Sequence, residues 1–444
     1  MTLAQLMQGC ACVVVVSSSS SSSSTSRSSI SMSSKSGLST KMTTTTRTTQ
    51  TIHISSTRST TRSVSSSSST QTIKKTTTST SVPTPTFQSC PIAAPSASAN
   101  AAFDVFWIFN SLTAQMTNSY GHYYGAPTTI DASQFSPMGP PSLSIPAAGS
   151  RGEVYAISSR SSLMEAWPQS NGGSWTAPVA ISSGSYFGGS RVATSPRFGV
   201  NNRTDVFAVT TDLALTMSSL MGGSDSWSAP VSMSKSFAAG IGMSASQRFG
   251  QCRTDVYAVD STGTLMLMSA QGNASFEGPV ALSPASTFDP NCCRVTAGRH
   301  YGDAGRTNVF AVDSAGAMTV TWYNGTGWTG PRRLSATGAF ELCTDIHVTG
   351  MASTYAQGPD QTHVFAVNAA HHLSVTSING TGDWVGPTQV NDLVYGYVDT
   401  FPVHPVLATE ATPSAFLLSM QGKLHAYSLL SNGTWKGPVV VAAA

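Results

Sequence analysis

ATSPRFGVNNRTDVFAVTTDLALTMSSLMGGSDSWSAPVSM, residues 193–233, is the stretch that decides the fold. Four runs within it, ATSPRF, DVFAVT, ALTMSSL and APVSM, have the length and composition of short strands. The segments between them, GVNNR, TDL and MGGSDSW, are rich in turn formers. One such unit predicts one four-stranded antiparallel sheet. Phe207, Ala208 and Val209 are apolar at consecutive positions, as a strand buried on both faces requires, whereas a half-exposed sheet would alternate.

The unit recurs along the chain. Its second run opens as DVFWI at Asp104, EVYAI at Glu153, DVFAV at Asp205, DVYAV at Asp255, NVFAV at Asn308, HVFAV at His363 and SAFLL at Ser414, at spacings of 49, 52, 50, 53, 55 and 51 residues. A period of about fifty residues with four strands in each is the signature of a propeller blade. The expectation is an all-β, seven-bladed β-propeller of four-stranded antiparallel blades over residues 90–444. Near the end of most copies stands a turn and then an aromatic ring: NGGSW at Asn171, NGTGW at Asn324, NGTGDW at Asn379 and NGTW at Asn432. Asn-Gly favours the positive φ of a tight hairpin, which places these turns between strands three and four.

Residues 1–89 are a different material. Ser and Thr dominate from Ser17 to Ser81, with eight Lys and Arg residues (Arg27, Lys35, Lys41, Arg47, Arg58, Arg62, Lys74, Lys75) and no acidic residue. A segment of that composition cannot bury a core and is expected to be a disordered tail. The formal charge of +3 therefore hides a repeat region that is weakly acidic, with 15 basic against 20 acidic side chains. Scattered charges of this kind leave no electrostatic footprint for nucleic acid. Leu3 to Val16 is apolar and of signal-peptide length and reads as a weak secretion leader, or as the product of a wrongly chosen start codon, since no positive residue stands ahead of it; it is too short to span a bilayer, so no stable membrane insertion is expected. Asn-x-Ser/Thr sequons at Asn202, Asn273, Asn324, Asn379 and Asn432 are candidate glycosylation sites, although hairpin geometry alone would select three of them. With the Ser/Thr tract they lead to the expectation of a secreted or cell-surface protein.

Seven cysteines make no framework and fit no zinc spacing. Cys10 and Cys12 lie in the leader. Cys90, Cys292, Cys293 and Cys343 precede first strands, and Cys252 follows one. Cys343 stands at a position equivalent to Cys292 and Cys293 on the neighbouring repeat, so a bridge to one of them and buried free thiols are both open readings. Catalytic chemistry is sparse. Glu153 and Glu165 are close in sequence, but nothing isolates them as the opposed carboxylate pair that glycosidic hydrolysis needs. There is no nucleophile elbow. His371 and His372 lack a third ligand and read as a surface turn, while Asp260 and Asp313 open DSTG and DSAG turns. Neither an enzyme, a metal nor a cofactor is expected.

Two residue types repeat with the period. Trp175, Trp227, Trp328, Trp384 and Trp435 share one position, with Phe276 in the fourth copy and Tyr123 or Tyr124 in the first. Such rings either plug the space between blades or offer apolar faces to sugars. Arg203, Arg253 and Arg306 stand two residues before Asp205, Asp255 and Asn308, with Arg197, Arg248 and Arg299 in the preceding strand. Their forked donors suit sugar hydroxyls or anions, and equally a structural pairing with the adjacent Asp.

The pattern R-T-D-V-F-A-V-D-S-x-G-x-L, then a short strand, N-G-x-G-W and G-P, resembles the repeat of the PLL-type lectins. These are seven-bladed propellers that bind fucose and related sugars between blades. The pattern is more distantly similar to the six-bladed fungal fucose-specific lectins. The resemblance covers residues 90–444 and implies a carbohydrate-binding propeller whose partners are glycans or glycoproteins. PLL-type repeats carry aromatics in the third strand, which here match Trp167 in LMEAW and Trp322 with Tyr323 in MTVTWY, while Ser219, Ser269, Ser377 and Ser428 stand elsewhere. The fungal lectins use an Arg opening the second strand and a Glu in the third. Glu165 matches that Glu, and Glu153 stands where the Arg would be. The carbohydrate-contacting set expected from these readings is Glu165, Trp167, Arg203, Arg253, Arg306, Trp322 and Tyr323. A glycan-cleaving propeller and a non-catalytic protein-interaction propeller are the alternatives.

Overall fold

The computed structural model describes residues 103–108, 112–117, 128–131, 142–144, 153–167, 175–187, 191–200, 202–221, 226–238, 242–303, 305–351, 360–395, 401–402, 414–418, 423–430 and 434–443. The expectations for the tail and leader, for Cys10, Cys12 and Cys90, for Tyr123 and Tyr124, and for Asn171 and Asn432 lie outside these residues.

Every regular element among the described residues is a strand. Sheet one holds β1 (Phe103–Ile108), β2 (Leu112–Thr117) and β3 (Thr128–Asp131). Sheet two holds β4 (Ser142–Ser144), β5 (Glu153–Ile157), β6 (Leu163–Ala166) and β7 (Val179–Ser182). Sheet three is β8 (Ala193–Pro196), β9 (Arg203–Val209), β10 (Ala214–Met221) and β11 (Val231–Lys235). Sheet four is β12 (Met243–Arg248), β13 (Arg253–Val259), β14 (Leu265–Gln271) and β15 (Glu277–Ala281). Sheet five is β16 (Val295–Arg299), β17 (Thr307–Val312), β18 (Met318–Tyr323) and β19 (Trp328–Arg333). Sheet six is β20 (Ile346–Met351), β21 (Gln361–Val367), β22 (Leu373–Asn379) and β23 (Val385–Gln389). Sheet seven is β24 (Phe401–Pro402), β25 (Ser414–Leu418), β26 (Lys423–Leu429) and β27 (Trp435–Ala443).

Each sheet is an antiparallel meander in chain order, as the four runs of residues 193–233 predict. The second strands of sheets two to six are buried along the apolar run, so that the consecutive apolar residues have packed neighbours on both faces. In sheets three and four that strand starts two residues earlier than its apolar run, at Arg203 and Arg253, because pairing with the third strand continues to Met221 and Gln271. The DSTG and DSAG turns form as expected. Asp260 Oδ1 accepts from the backbone N–H of Thr262 and Thr264, and Asp313 Oδ1 from those of Ala315 and Ala317. The turn requires a left-handed residue, met by Gly263 and Gly316 and, at the same place, by Leu213 at φ 61° and His371 at φ 63°. His371 thus sits in the surface turn that the sequence suggests.

The first strands β4, β8, β12, β16, β20 and β24 pack each against the next. At their entry ends, Arg191 ahead of β8 and Arg294 ahead of β16 both pair with Asp345 ahead of β20. Side chains from sheets three, five and six therefore meet at one point. Burial, with the charge of Arg191 next, pushes the neighbouring His347 down to about 3. Cys292 is bridged to Cys343, tying the entry to sheet five to the entry to sheet six. Cys252 is also disulfide-bonded. Cys293, next to the bridge, is a buried free thiol whose pKa burial raises far above the usual thiol range.

Candidate functional site

The gaps between sheets are built on one plan. Where the fourth strand begins, the repeated aromatic of one sheet stands edge-on to the aromatic of the second strand in the sheet before it. The pairs are Tyr155–Trp227 (5.7 Å between ring centroids), Phe207–Phe276 (5.5 Å), Tyr257–Trp328 (5.7 Å), Phe310–Trp384 (5.4 Å) and Phe365–Trp435 (4.9 Å). Edge-to-face contact suits the ring quadrupoles, and Phe276 meets the requirement as well as Trp does. The repeated ring is a wedge between sheets.

Outside each wedge lies a polar layer. In the gap between sheets three and four, Arg197 is fully buried, its guanidinium 4.4 Å from the Phe276 ring centre. Nη1 donates to Asp205 Oδ2 (3.1 Å) and Nε to the Gly272 carbonyl (2.7 Å) on the next sheet, while Nη2 donates to the Ala274 carbonyl. Arg203 is committed on the same side: Nε to Asp205 Oδ1 (2.9 Å), Nη1 to Asn273 Oδ1 (2.7 Å) and Nη2 to Ser219 Oγ (2.9 Å). The gap between sheets four and five repeats the arrangement. Arg248 makes two bonds to Asp255 (2.8 and 3.0 Å), and Arg253 Nη2 reaches Ser269 Oγ (2.7 Å) and Glu277 Oε2 (3.0 Å).

The gap between sheets five and six departs from this plan. Its counterpart of Arg197 and Arg248 is not Arg299, as the repeat spacing suggests, but His300. His300 N–H donates to the Arg306 carbonyl as Arg197 N–H does to that of Arg203. Arg299 instead lies over the Tyr301 ring, 5.7 Å from its centre. The His300 ring is sandwiched by hydrogen bonds: Nε2 with the Gly380 carbonyl at 2.8 Å and Nδ1 with the Asn308 side-chain nitrogen at 3.1 Å. These bonds fit an imidazole with its proton on Nε2, and burial, with Arg306 next, lowers its pKa. A neutral His–Asn pair has replaced Arg–Asp.

Strand register distributes the expected carbohydrate-contacting residues over four gaps. Trp322 lies opposite Asn308, and Trp167 stands at the matching place one residue beyond the Val154–Ala166 pair. Since side chains alternate along a strand, Trp322 shares the face of Arg306, Asn308 and Phe310, toward sheet six. The Arg306 guanidinium carbon is 5.1 Å from the Trp322 ring centre, and Nε donates to Asn308 Oδ1 at 3.1 Å. Tyr323 faces the other way. Its ring lies 4.9 Å from the Arg248 guanidinium carbon and 5.6 Å from the Trp328 ring, and its hydroxyl accepts from Gln251 Nε2 at 2.8 Å. Trp322 and Tyr323, adjacent in sequence, thus serve different gaps. Glu165 and Trp167 share the face toward sheet three, where Glu165 Oε2 accepts from Trp227 Nε1 at 2.8 Å. Glu153 is in the same gap and accepts from the Tyr155 hydroxyl at 2.5 Å. Both carboxylates are buried. Of the sequon residues, Asn202, Asn273, Asn324 and Asn379 are exposed, all but Asn202 in hairpins between strands three and four.

The three-dimensional arrangement has counterparts among solved structures. A lectin from Burkholderia pseudomallei, BP39L, superposes with a TM-score of 0.70 at 28% identity, over 79% of this chain and 96% of that one. This chain resembles the propeller lectins. The likeness to PLL-type propellers read from the repeat is thereby borne out. Looser matches are the Aleuria aurantia lectin, whose structure is described as a six-bladed β-propeller with a novel fucose recognition mode (TM-score 0.43, 14% identity, 78% of this chain and 97% of that one), and SapL1 lectin in complex with alpha methyl fucoside (TM-score 0.46, 16% identity, 66% and 94%). No family model matches the chain, and none of the curated proteins does.

Proposed function

We propose that this protein is a non-enzymatic, multivalent carbohydrate-binding protein, secreted or held at the cell surface. In this reading residues 90–444 close into a seven-bladed β-propeller behind a Ser/Thr-rich segment, and the gaps between blades receive fucosylated or related glycans. The observation that carries it is the placement of Trp167 and Trp322 at one equivalent third-strand position, facing the gap beside the aromatic wedge. An indole there presents an apolar face to a pyranose while neighbouring Arg, Asn and Glu side chains supply hydroxyl partners. The convergence of Arg191, Arg294 and Asp345 from three sheets supports a closed ring, and the bridged cysteines support an oxidising compartment. Similarity to BP39L supports the lectin reading. Weak sites repeated on a rigid ring gain avidity on a glycan-covered surface.

The glycan-cleaving alternative would rest on Glu153 and Glu165. Glu165 is held by Trp227 and Glu153 by Tyr155, which suits positioning within the gap better than opposed acid and base roles. The test is binding to immobilised fucosylated glycans. Stacking that buries about 60 Å² at roughly 25 cal/mol per Å² contributes about 1.5 kcal/mol, near tenfold in affinity per site. Trp167→Ala with Trp322→Ala is expected to abolish most binding while the fold survives. Wild-type binding by the double variant, or no glycan bound by the wild type, would overturn the reading in favour of a protein-interaction scaffold.

A further inference from the structure

Arg306 differs from its sister arginines in what surrounds it. Arg203 is ion-paired to Asp205 and Arg253 to Glu277. At the corresponding positions Arg306 finds Asn308 in place of the Asp and Thr329 in place of the Glu, since Trp322 pairs with Thr329 where Ser269 pairs with Glu277. Among the described residues Arg306 has no carboxylate within ion-pairing distance. The one hydrogen bond of its side chain uses Nε, and the charges that reach it at longer range are Asp303 and Arg332, one of each sign. His300 alongside is held neutral by burial and by Arg306 itself. The guanidinium rests on the indole of Trp322. A half-buried cation is thus laid over an aromatic face, in a gap from which the carboxylates of the sister gaps have been removed.

We propose that this gap selects acidic sugars: a pyranose bearing a carboxylate or sulfate, whose anionic group takes the fork of Arg306 and whose C–H face takes the indole that the guanidinium now covers. The inference rests on the carbohydrate-binding reading above. An anion offers Arg306 two charge-assisted hydrogen bonds in exchange for its contact with the ring. A neutral sugar must displace the same cation and gives it no counter-charge. Arg306 is then the specificity-determining residue of this gap, and Trp322 the stacking platform.

The experiment is titration of the full chain with paired methyl glycosides at low salt: glucuronic acid against glucose, galacturonic acid against galactose, and 6-sulfogalactose against galactose. At least one acidic member is expected to bind about tenfold more tightly than its neutral parent, with the advantage shrinking as salt rises. Carboxylate and sulfate preference both support the proposal and name the source. In Arg306→Gln, which keeps a donor for Asn308, the ratio of acidic to neutral affinity is expected to fall to about one. In Trp322→Ala both affinities at this gap are expected to fall. Melting curves of both variants verify folding, with Arg306→Met, which keeps the aliphatic stem without the charge and should likewise bring the ratio to about one, as the second probe should the Gln variant fail to fold. If acidic and neutral members bind alike in the wild type while Trp322→Ala still weakens them, the acidic selectivity is wrong and the lectin reading stands. If the preference persists in Arg306→Gln, Arg306 is not its source. If no glycoside or immobilised glycan binds, both fall.

Discussion

Replacing Asp205 with alanine tests whether the Arg–Asp layer between sheets is structural. Asp205 is fully buried and accepts three bonds, from Arg197 Nη1, Arg203 Nε and Ser219 Oγ. Removing it leaves the buried Arg197 guanidinium without a counter-charge. Breaking one partner of such a pair costs about 3–5 kcal/mol, far more than the pair contributes over an apolar isostere, because the surviving charge is stranded in low dielectric. For a folded region of about 340 residues, with an unfolding entropy of about 2.1 cal/mol/K per residue, that is a fall in Tm of about 4–7 °C. Sheet five provides the internal control. His300 and Asn308 occupy the same two positions as a neutral pair, so Arg197→His combined with Asp205→Asn should reproduce that solution and lose less than half as much as Asp205→Ala. Thermal unfolding by circular dichroism, repeated in urea, reads both. A drop below about 2 °C for Asp205→Ala, or a double variant no better than it, would refute the account.

Three further outcomes are expected. His347 and His363 have pKa values pushed by burial down to about 3 and about 4. A histidine depressed on folding contributes stability that is complete above about pH 6.5 and is lost as pH falls toward its folded value. Urea midpoints should therefore hold above neutrality and decline toward pH 4, by on the order of 3 kcal/mol for each histidine, and His347→Gln should flatten the decline. Gly298→Ala would place a methyl 2.4 Å from Val348 Cγ1 across the β16–β20 contact, an overpacking expected to cost about 1–3 kcal/mol and to be relieved by adding Val348→Ala in a double-mutant cycle. Cys292→Ser with Cys343→Ser opens a loop closed over a separation of 51 residues, which should lower stability by about 4 kcal/mol in denaturant titrations under non-reducing conditions.

Much of this architecture is local and therefore legible in the chain. Consecutive apolar tetrads such as VFAV, the Asx turns at Asp260 and Asp313, the Asn-Gly hairpins and the regular return of a tryptophan each express physics acting within a few residues. Repetition multiplies the signal, which is why the strand order of every complete sheet matches the pattern of residues 193–233. Tertiary structure decided what faces what. Trp322 and Tyr323 are neighbours in sequence, yet strand alternation and the packing of two different sheets send them to opposite gaps. Trp227 binds Glu165 from 62 residues away, and His300 meets the Gly380 carbonyl from 80. His300 rather than Arg299 takes the buried polar position because the pairing register with Arg306, not the residue type, fixes which side chain points inward. Nothing local specifies such pairs: they exist only once sheets built from separate repeats are stacked, and the burial that stacking imposes decides which polar groups must be neutral or paired.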